Sequence, residues 1–184
     1  MAKNRKVLAI CGSTRQTSSN LTIIKYIMTL PLTGVEFELF ESLAGLPQFN
    51  PDLDTDTPPE AVEAFRRQLR DADGVLICTP EYAMGVPGSL KNALDWTVSS
   101  SDFSHKPVAL ITASSLGNKG HAALLETLRV IEAHLEEKAL LVISFIRSKM
   151  SKDGTITDTE TEKKIREVVL ALGNMMLADH ASGQ

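Results

Sequence analysis

Two polar segments, residues 12–20 and 80–88, hold most of the residue types in this chain that could bind a ligand. Each follows a short apolar run typical of a buried strand, at residues 7–10 and 75–77. The carboxyl ends of parallel strands meet at one edge of an open α/β sheet, where such proteins bind ligands. The first segment suits a phosphate, and the second, with an aromatic ring and glycines, suits a flat ring system.

The first segment combines hydroxyl groups, a cation and the start of a helix. Residues 13–19 include five Ser or Thr residues around Arg15, and we predict the N-cap of the following helix at Ser19 or Asn20. Hydroxyls, the N–H groups of a helix N-terminus and a guanidinium together bind phosphate. The segment lacks the three glycines of a dinucleotide fingerprint and the Gly-Lys-Ser/Thr of a P-loop. It also lacks the arginine that a cysteine phosphatase requires six positions after Cys11. The alternative is a loop that only caps a helix.

The second segment offers backbone groups and one aromatic side chain. Pro80 fixes φ where the chain leaves the strand, and Gly85 and Gly88 permit close approach of a ligand to the backbone. We expect the N–H groups of residues 83–85 to face the edge of a ring, with Tyr82 nearby. In the helix that follows, Trp96 lies off the apolar stripe, which favours a subunit interface or, alternatively, a contact within the monomer.

Apolar runs and helical periodicities alternate along the chain, which predicts a doubly wound α/β fold. We predict parallel strands at residues 6–11, 35–40, 74–79, 108–113 and 139–144, in the order 2-1-3-4-5. The helical stripes comprise Leu21, Ile24, Ile27 and Met28; Val62, Phe65 and Leu69; Leu124, Leu128, Ile131 and Leu135; and Ile165, Val168, Val169, Leu172, Met175 and Met176. Thr159 and Glu162 can form a capping box at the start of the last helix. Residues 47–60 are typical of a long surface loop.

Length and composition indicate one globular domain over residues 1–184, with 43% hydrophobic and 23% charged residues. The net charge of −4, without a basic stripe, argues against nucleic acid or a membrane surface as partner. The basic residues 1–6 precede an apolar run too short for a signal sequence, and no run is long enough to span a membrane. Cys11 and Cys78 are interpreted as buried, reduced thiols of a cytoplasmic protein. We interpret all four histidines (His105, His121, His134 and His180) as surface residues and predict no metal site.

At the two polar segments the sequence resembles the NADPH-dependent FMN reductases, a family that includes quinone, chromate and azo-dye reductases. The first motif is Gly12-Ser13-x-Arg15-x-x-Ser18-x-Asn20. The second is Pro80-Glu81-Tyr82-x-x-Gly85-x-Pro87-Gly88-x-Leu90-Lys91-Asn92-x-Leu94-Asp95-Trp96. The second is long and specific, and the two occur in the expected order and spacing. The likeness extends from about residue 6 to residue 140.

The resemblance implies a flavodoxin-like fold and a set of residues that bind FMN. The phosphate would be held by Ser13, Arg15, Ser18, Ser19 and Asn20. The ribityl chain and the isoalloxazine would be lined by Pro80, Glu81, Tyr82, Ala83, Met84 and Gly85. A third loop follows the fourth strand and would contribute Ser114, Ser115 and Gly117. The family often has paired glycines and a glutamine just beyond it, whereas this chain has Gly117-Asn118-Lys119-Gly120-His121.

The resemblance further implies an NAD(P)H-dependent FMN reductase or quinone reductase. NADPH or NADH would deliver hydride to flavin N5, and a small acceptor (a quinone, an azo compound, chromate or free flavin) would then take the electrons by ping-pong kinetics. The cofactor would carry the chemistry, so no catalytic side chain is expected. Family members are commonly homodimers or homotetramers. Two alternatives stay open: an electron carrier without NAD(P)H turnover, and a phosphate-binding regulatory domain without redox function.

Overall fold

Five parallel strands form the sheet in this computed structural model, which describes residues 4–41 and 43–182, with the side chains of 179–182 excepted. The strands are β1 (Arg5–Cys11), β2 (Val35–Phe40), β3 (Gly74–Thr79), β4 (Val108–Ser114) and β5 (Leu140–Ser144). Their order is β2-β1-β3-β4-β5, and every neighbouring pair is parallel. The predicted fold class, strand order and strands are confirmed, with shifts of one residue at three strand ends. The order reverses between β1 and β3, the strands that precede the two polar segments.

Five α-helices of the described chain cover the two faces of the sheet: α1 (Ser19–Met28), α2 (Glu60–Asp71), α3 (Gly88–Asp95), α4 (Asn118–Val130) and α5 (Thr159–Ser182). Successive strand residues point to opposite faces. In β1, Val7, Ala9 and Cys11 therefore pack in the core beneath α1 and α5, while Leu8 and Ile10 pack in the core beneath α2, α3 and α4. The central strands are buried on both faces, as expected of a parallel sheet.

The predicted helical stripes are buried with three exceptions, and one predicted cap is wrong. Leu21 is half-buried. Met28 is 40% exposed, and Leu135 lies beyond the end of α4 and is half-buried. The N-terminus of α5 has no capping box of Thr159 and Glu162. Instead, Asp158 Oδ1 accepts the Thr161 N–H at 2.7 Å, and Glu162 accepts a hydrogen bond from the Tyr26 hydroxyl at 2.6 Å. This bond ties α5 to α1, because the Glu162 side chain turns towards the neighbouring helix.

Trp96 lies inside the monomer and does not form an interface. Its side chain is fully buried, its indole N–H donates to Pro47 O at 2.8 Å, and its ring meets Phe49 edge-on at 5.1 Å. Of the two interpretations of Trp96, the contact within the monomer is therefore confirmed. The residue lies off the stripe of α3 because it packs against the chain at residues 47–49, which covers that side of the helix.

The loop at residues 47–60 is largely exposed, as predicted, but a buried arginine holds it in place. Arg66 of α2 is 5% exposed, donates from Nε to Trp96 O at 2.8 Å and forms an ion pair with Asp54 at 2.7 Å. Ser99 donates to the second Asp54 oxygen at 2.6 Å. These hydrogen bonds and the ion pair from Arg66 and Ser99 lower the pKa of the Asp54 carboxyl despite its desolvation. A buried charge with all these partners fixes the loop against the helices.

No helix in the described part of the chain is long and apolar enough to span a membrane. Of the basic segment at residues 1–6, the first three residues lie outside the described range, as does the side chain of His180.

Candidate active site

A cleft of about 530 Å³ lies at the carboxyl edge of the sheet, where β1, β3, β4 and β5 end. Its lining residues come from the four loops that follow these strands, together with the last residues of β4 and the first of α1. They are Ser13, Arg15, Thr17, Ser18, Ser19, Asn20, Pro80, Glu81, Tyr82, Ala113, Ser114, Ser115, Phe145, Ile146, Arg147 and Ser148. The structure thus brings together ten of the fourteen site residues predicted from the sequence. Ala83, Met84, Gly85 and Gly117 lie just outside this set.

The loop after β1 forms one end of the cleft, which we call the phosphate end (residues 12–20). Ser18, and not Ser19 or Asn20, is the N-cap of α1: its Oγ accepts the Asn20 N–H at 3.2 Å. The Ser13 Oγ accepts the Arg15 N–H at 3.3 Å. Because each hydroxyl oxygen accepts from the backbone, its proton remains available to an acceptor in the cleft. Arg15 itself is exposed.

Asn20 joins this loop to the middle of the sheet. Its side chain is 3% exposed, and its Nδ2 donates to Ala113 O of β4 at 3.0 Å. Its Oδ1 accepts from the Cys78 thiol of β3 at 3.3 Å. The start of α1 is therefore bound to two strands, which holds the phosphate end in register with the rest of the cleft.

The two cysteines are buried and free, as predicted. Burial raises the pKa of the Cys11 thiol and raises that of Cys78 well above its usual value. Both groups therefore remain protonated thiols at neutral pH, and they pack beneath the cleft as small apolar residues.

Gly12 allows the first loop to cross β3 closely. A Cβ at this position would lie 2.1 Å from Thr79 Oγ1 and 2.6 Å from Thr79 Cβ. The Gly12 N–H donates to Cys78 O at 2.9 Å, which extends the pairing of β1 and β3 by one bond. A side chain here would force the two strand ends apart at the base of the cleft.

The loop after β3 forms the opposite end, which we call the ring end (residues 80–87). Tyr82 and Gly85 exchange backbone hydrogen bonds of 3.1 and 2.9 Å, and Ala83 and Met84 between them have φ of 49° and 61°. Two central residues with positive φ define a type I′ turn, which is usually built from Asn and Gly. Our expectation that the Gly85 N–H faces a ligand is therefore wrong, because this group bonds within the turn. The Ala83 and Met84 N–H groups lie at its tip.

Glu81 connects the ring end to α4. Its Oε2 accepts the N–H of Gly120, in the first turn of α4, at 2.7 Å, and its backbone carbonyl accepts from the Ser114 hydroxyl at 3.3 Å. Gly117, the N-cap of α4, has φ of +98° and supplies no side-chain cap. The Glu81 carboxylate thus replaces a local cap and complements the positive end of the helix dipole. A Cβ at Gly120 would lie 3.0 Å from both Glu81 Cγ and Gly85 O, so a side chain there would press against the loop that carries Glu81.

His121 is buried, and the expectation of a surface histidine is wrong for this residue. Its Nδ1 lies 2.8 Å from the Thr112 hydroxyl of β4, and burial lowers the pKa of the imidazole. Residues 117–121, where the chain departs from the family pattern, thus include a histidine that packs between β4 and α4, beneath the third loop. His105 is exposed, and His134 is half-buried.

Sequence reasoning missed six lining residues: Thr17, Ala113 and residues 145–148, after β5. Thr17 had been counted among the hydroxyls but not assigned to the site. The loop after β5 carried a usable signal, because the end of a fifth parallel strand must reach the same edge of the sheet as the others. Arg147 adds a second guanidinium to the cleft.

The residues present fit FMN. The cleft has the volume of a typical small-molecule site, and its phosphate end supplies hydroxyl donors, a helix N-terminus and guanidinium groups for a dianion. Its other end supplies backbone groups and one aromatic side chain, Tyr82. A cleft polar at one end and suited to a ring at the other matches a phosphorylated flavin.

The five-stranded parallel sheet of order 2-1-3-4-5, with a phosphate-type cleft at its switch point, defines a flavodoxin-like protein. The family model of the NADPH-dependent FMN reductases matches residues 5–148. The chain therefore belongs to the NADPH-dependent FMN reductase family, which confirms the resemblance found in its motifs. It is an oxidoreductase that depends on NAD(P)H and whose cofactor is FMN.

Known proteins resemble the chain over nearly its whole length. An NAD(P)H-dependent FMN reductase of Pseudomonas aeruginosa is 35% identical over 178 residues, 94% of this chain and 95% of that protein. A quinone reductase of Escherichia coli K12 is 30% identical over 187 residues, 100% of this chain and 93% of that protein. Among solved structures, the flavoenzyme NAD(P)H:(acceptor) oxidoreductase FerB of Paracoccus denitrificans has a TM-score of 0.79 and 28% identity. That match covers 95% of this chain and 98% of FerB.

Proposed function

We propose that this chain binds FMN along the cleft and reduces quinones or other small acceptors with NADPH or NADH. The observation that supports this most directly is the cleft itself, in which loops after β1, β3 and β4 join a polar end to a ring end. The proposal accounts for both family motifs at once, because each supplies one end.

At the phosphate end, the hydroxyls of Ser13, Ser18 and Ser19 donate hydrogen bonds to the phosphate, and Arg15 adds a charge-assisted pair of hydrogen bonds. The Ser18 cap leaves the first N–H groups of α1 directed at the same ligand. Asn20 acts here through its bonds to Ala113 and Cys78, which hold the loop that carries the donors.

At the ring end, Pro80, Glu81 and Tyr82 line one side, and Ser114 and Ser115 line the other. Ala83, Met84 and Gly85 form the turn above them, and Gly117 starts the helix that Glu81 caps. Glu81 is thus assigned a positioning role, because its carboxylate bonds the α4 backbone.

When bound, FMN would supply the redox chemistry: acceptance of hydride at N5 and electron transfer to an acceptor. The chain binds and orients the flavin and keeps the cleft open to solvent at Tyr82 (49% exposed) and Phe145 (61% exposed). Donor and acceptor can occupy this open side in turn, which predicts ping-pong kinetics.

The acceptor class follows the relatives, which are named FMN reductase and quinone reductase. Azo compounds, chromate and free flavin meet the same requirement of an open ring. We further propose that residues 1–184 act as a single flavodoxin-like domain in a cytoplasmic homodimer or homotetramer, without nucleic-acid or membrane partners. Exposed apolar side chains near the ring end, Met84 (72%) and Leu116 (56%), favour such an assembly.

The test is the visible absorption spectrum of the purified protein, followed by anaerobic addition of NADPH and then of a quinone. A reductase will be yellow, will lose its colour with NADPH and will regain it with the quinone. A yellow protein that reacts with neither NADPH nor NADH would instead be an electron carrier. A protein that stays colourless after addition of FMN would refute the flavin assignment.

A further inference from the structure

Arg147 is a second guanidinium in the cleft, and it belongs to neither family motif. It follows β5 in a short 3₁₀ turn, Ile146–Lys149, and lines the same cleft as Arg15. No carboxylate within the described part of the chain forms an ion pair with either guanidinium. Neither guanidinium therefore stabilises the fold through an ion pair, and both line the cleft. This placement favours a role in ligand binding.

A neighbouring cleft shows at which end Arg147 lies. This second cleft, of about 340 Å³, is lined by Arg147 together with Thr17, Ser19 and Thr22 of the first loop and α1. Thr17 and Ser19 also line the main cleft. Arg147 therefore lies beside the start of α1, at the phosphate end, and not beside the turn of residues 82–85.

The backbone that carries Arg147 is anchored on both sides. The Phe145 N–H donates to Ser115 O of the third loop at 3.1 Å, and the next residue, Ile146, is 4% exposed in the core. Beyond the turn, the Thr157 N–H donates to Lys149 O at 2.9 Å. The segment is therefore tied to the core and to the loop after β4, which keeps the guanidinium beside the cleft.

The charge at the phosphate end favours a second cation. A phosphate monoester carries about −1.5 to −2 charges at pH 7, and Arg15 supplies one positive charge. Glu81 is the carboxylate in the cleft lining, and its Oε2 bonds Gly120 of α4. One further guanidinium completes the neutralisation of the dianion, and Arg147 is placed to provide it.

We propose that Arg147 is a second cationic ligand of the flavin phosphate. It binds the phosphate from the loop after β5, while Arg15 binds it from the loop after β1. The inference rests on the proposed function insofar as FMN occupies the main cleft. It makes the site selective for the phosphorylated flavin over riboflavin, because both arginines recognise a group that riboflavin lacks.

The experiment measures the dissociation constants of FMN and riboflavin for the flavin-free protein, from the quenching of flavin fluorescence. Arg147→Ala is expected to weaken FMN about tenfold or more, the range for a hydrogen bond to a charged group, and to leave riboflavin within twofold of the wild type. For Arg147→Ala, log Kd of FMN will also rise less steeply with log salt concentration than it does for the wild type. Arg147→Lys is expected to retain part of the affinity, since it keeps the charge and loses the planar fork.

Lys152 provides a matched control. It lines the second cleft but not the main one, beside Asp153, whose carboxylate accepts hydrogen bonds from Ser151 and Thr155. Lys152→Ala removes one positive charge from the same surface and is expected to leave the Kd of FMN within twofold. An equal loss of FMN affinity in this variant would overturn the proposal, because it would reveal a general electrostatic effect.

Two other results would overturn the assignment of Arg147. These are an unchanged FMN affinity in Arg147→Ala, and an equal loss for FMN and riboflavin, which would indicate damage to the fold or the ring end. Oxidation of NADPH and of NADH by the wild type at saturating FMN is recorded separately. If neither nicotinamide is oxidised but Arg147 still contributes selectively to FMN binding, the reductase is refuted and this inference stands.

Discussion

The two ends of the cleft are built in opposite ways. At the phosphate end, Ser13, Ser18 and Asn20 are nearly buried and bond the backbone of the first loop, β4 and the thiol of Cys78. At the ring end, Tyr82 is 49% and Met84 72% exposed, on a turn whose two central residues have positive φ. The first end is fixed by the core, and the second projects from it.

This difference corresponds to two tasks. A phosphate is small and charged, and donors bind it well only when their geometry is fixed before binding. A ring that must accept two different reactants in turn requires an open side, and adaptable apolar side chains provide it. Rigid packing at one end and a strained, exposed turn at the other are therefore both consistent with a flavin reductase.

Gly12→Ala is the strongest test of the packed phosphate end. The new Cβ would lie 2.1 Å from Thr79 Oγ1, and Thr79 is 2% exposed and has little space to move. We expect a loss of about 3 kcal/mol in the free energy of unfolding, at the upper end of the range for overpacking. Urea denaturation checks it. Gly88→Ala is the control: its Cβ would meet nothing within 4 Å, so stability should be unchanged or slightly higher. A Gly12→Ala protein as stable as wild type would show that this end is not packed as described.

Arg15→Ala tests whether the phosphate end binds charge. We expect FMN binding to weaken by about 1.5–3 kcal/mol, the range for hydrogen bonds to charged groups, with stability unchanged because Arg15 is exposed. Fluorescence titration with FMN measures the loss, and riboflavin serves as the ligand control. Unchanged affinity for FMN would remove Arg15 from the site.

Glu81→Ala tests the side-chain attachment of the ring end to α4. The variant leaves the Gly120 N–H without its 2.7 Å acceptor, and we expect a loss of about 1 kcal/mol in the free energy of unfolding, as for a lost helix cap. Glu81→Gln keeps an acceptor oxygen and loses only the interaction of charge with the helix dipole, about 0.3–1 kcal/mol. Chemical denaturation of the flavin-free proteins compares the two. Equal stability of all three would mean that Glu81 does not cap α4.

Met84→Gly probes the strain of the turn and has the smallest expected effect. Met84 has φ of 61°, which glycine adopts freely, so we expect a gain of about 0.5 kcal/mol after the added entropy of the unfolded chain. Met84→Ala is the matched control, since it removes the same apolar side chain and keeps the constraint on φ. Thermal unfolding should rank Met84→Gly above Met84→Ala. The reverse order would show that the turn is not strained at this position.

Local sequence patterns were enough to predict the strands, most of the helices and the two ligand-binding loops. Apolar runs of five to seven residues between helical stripes are strong signals, and a parallel sheet follows because consecutive strands are separated by helices. The loops after β1 and β3 could be recognised because phosphate and ring sites need particular residue types: hydroxyls and arginine in one, proline, tyrosine and glycine in the other.

Tertiary contacts decided the rest. Trp96, for which the sequence allowed an interface or a contact within the monomer, is buried because residues 47–49 fold back over α3. His121 is buried because α4 packs on β4, where Thr112 meets its imidazole. Glu81 caps α4, 39 residues further along the chain, and Arg147 enters the cleft from the loop after β5. Sequence periodicity reports only which residues share a face of one element. Which loop approaches which helix depends on how the strands assemble, so these contacts could be read only from the folded chain.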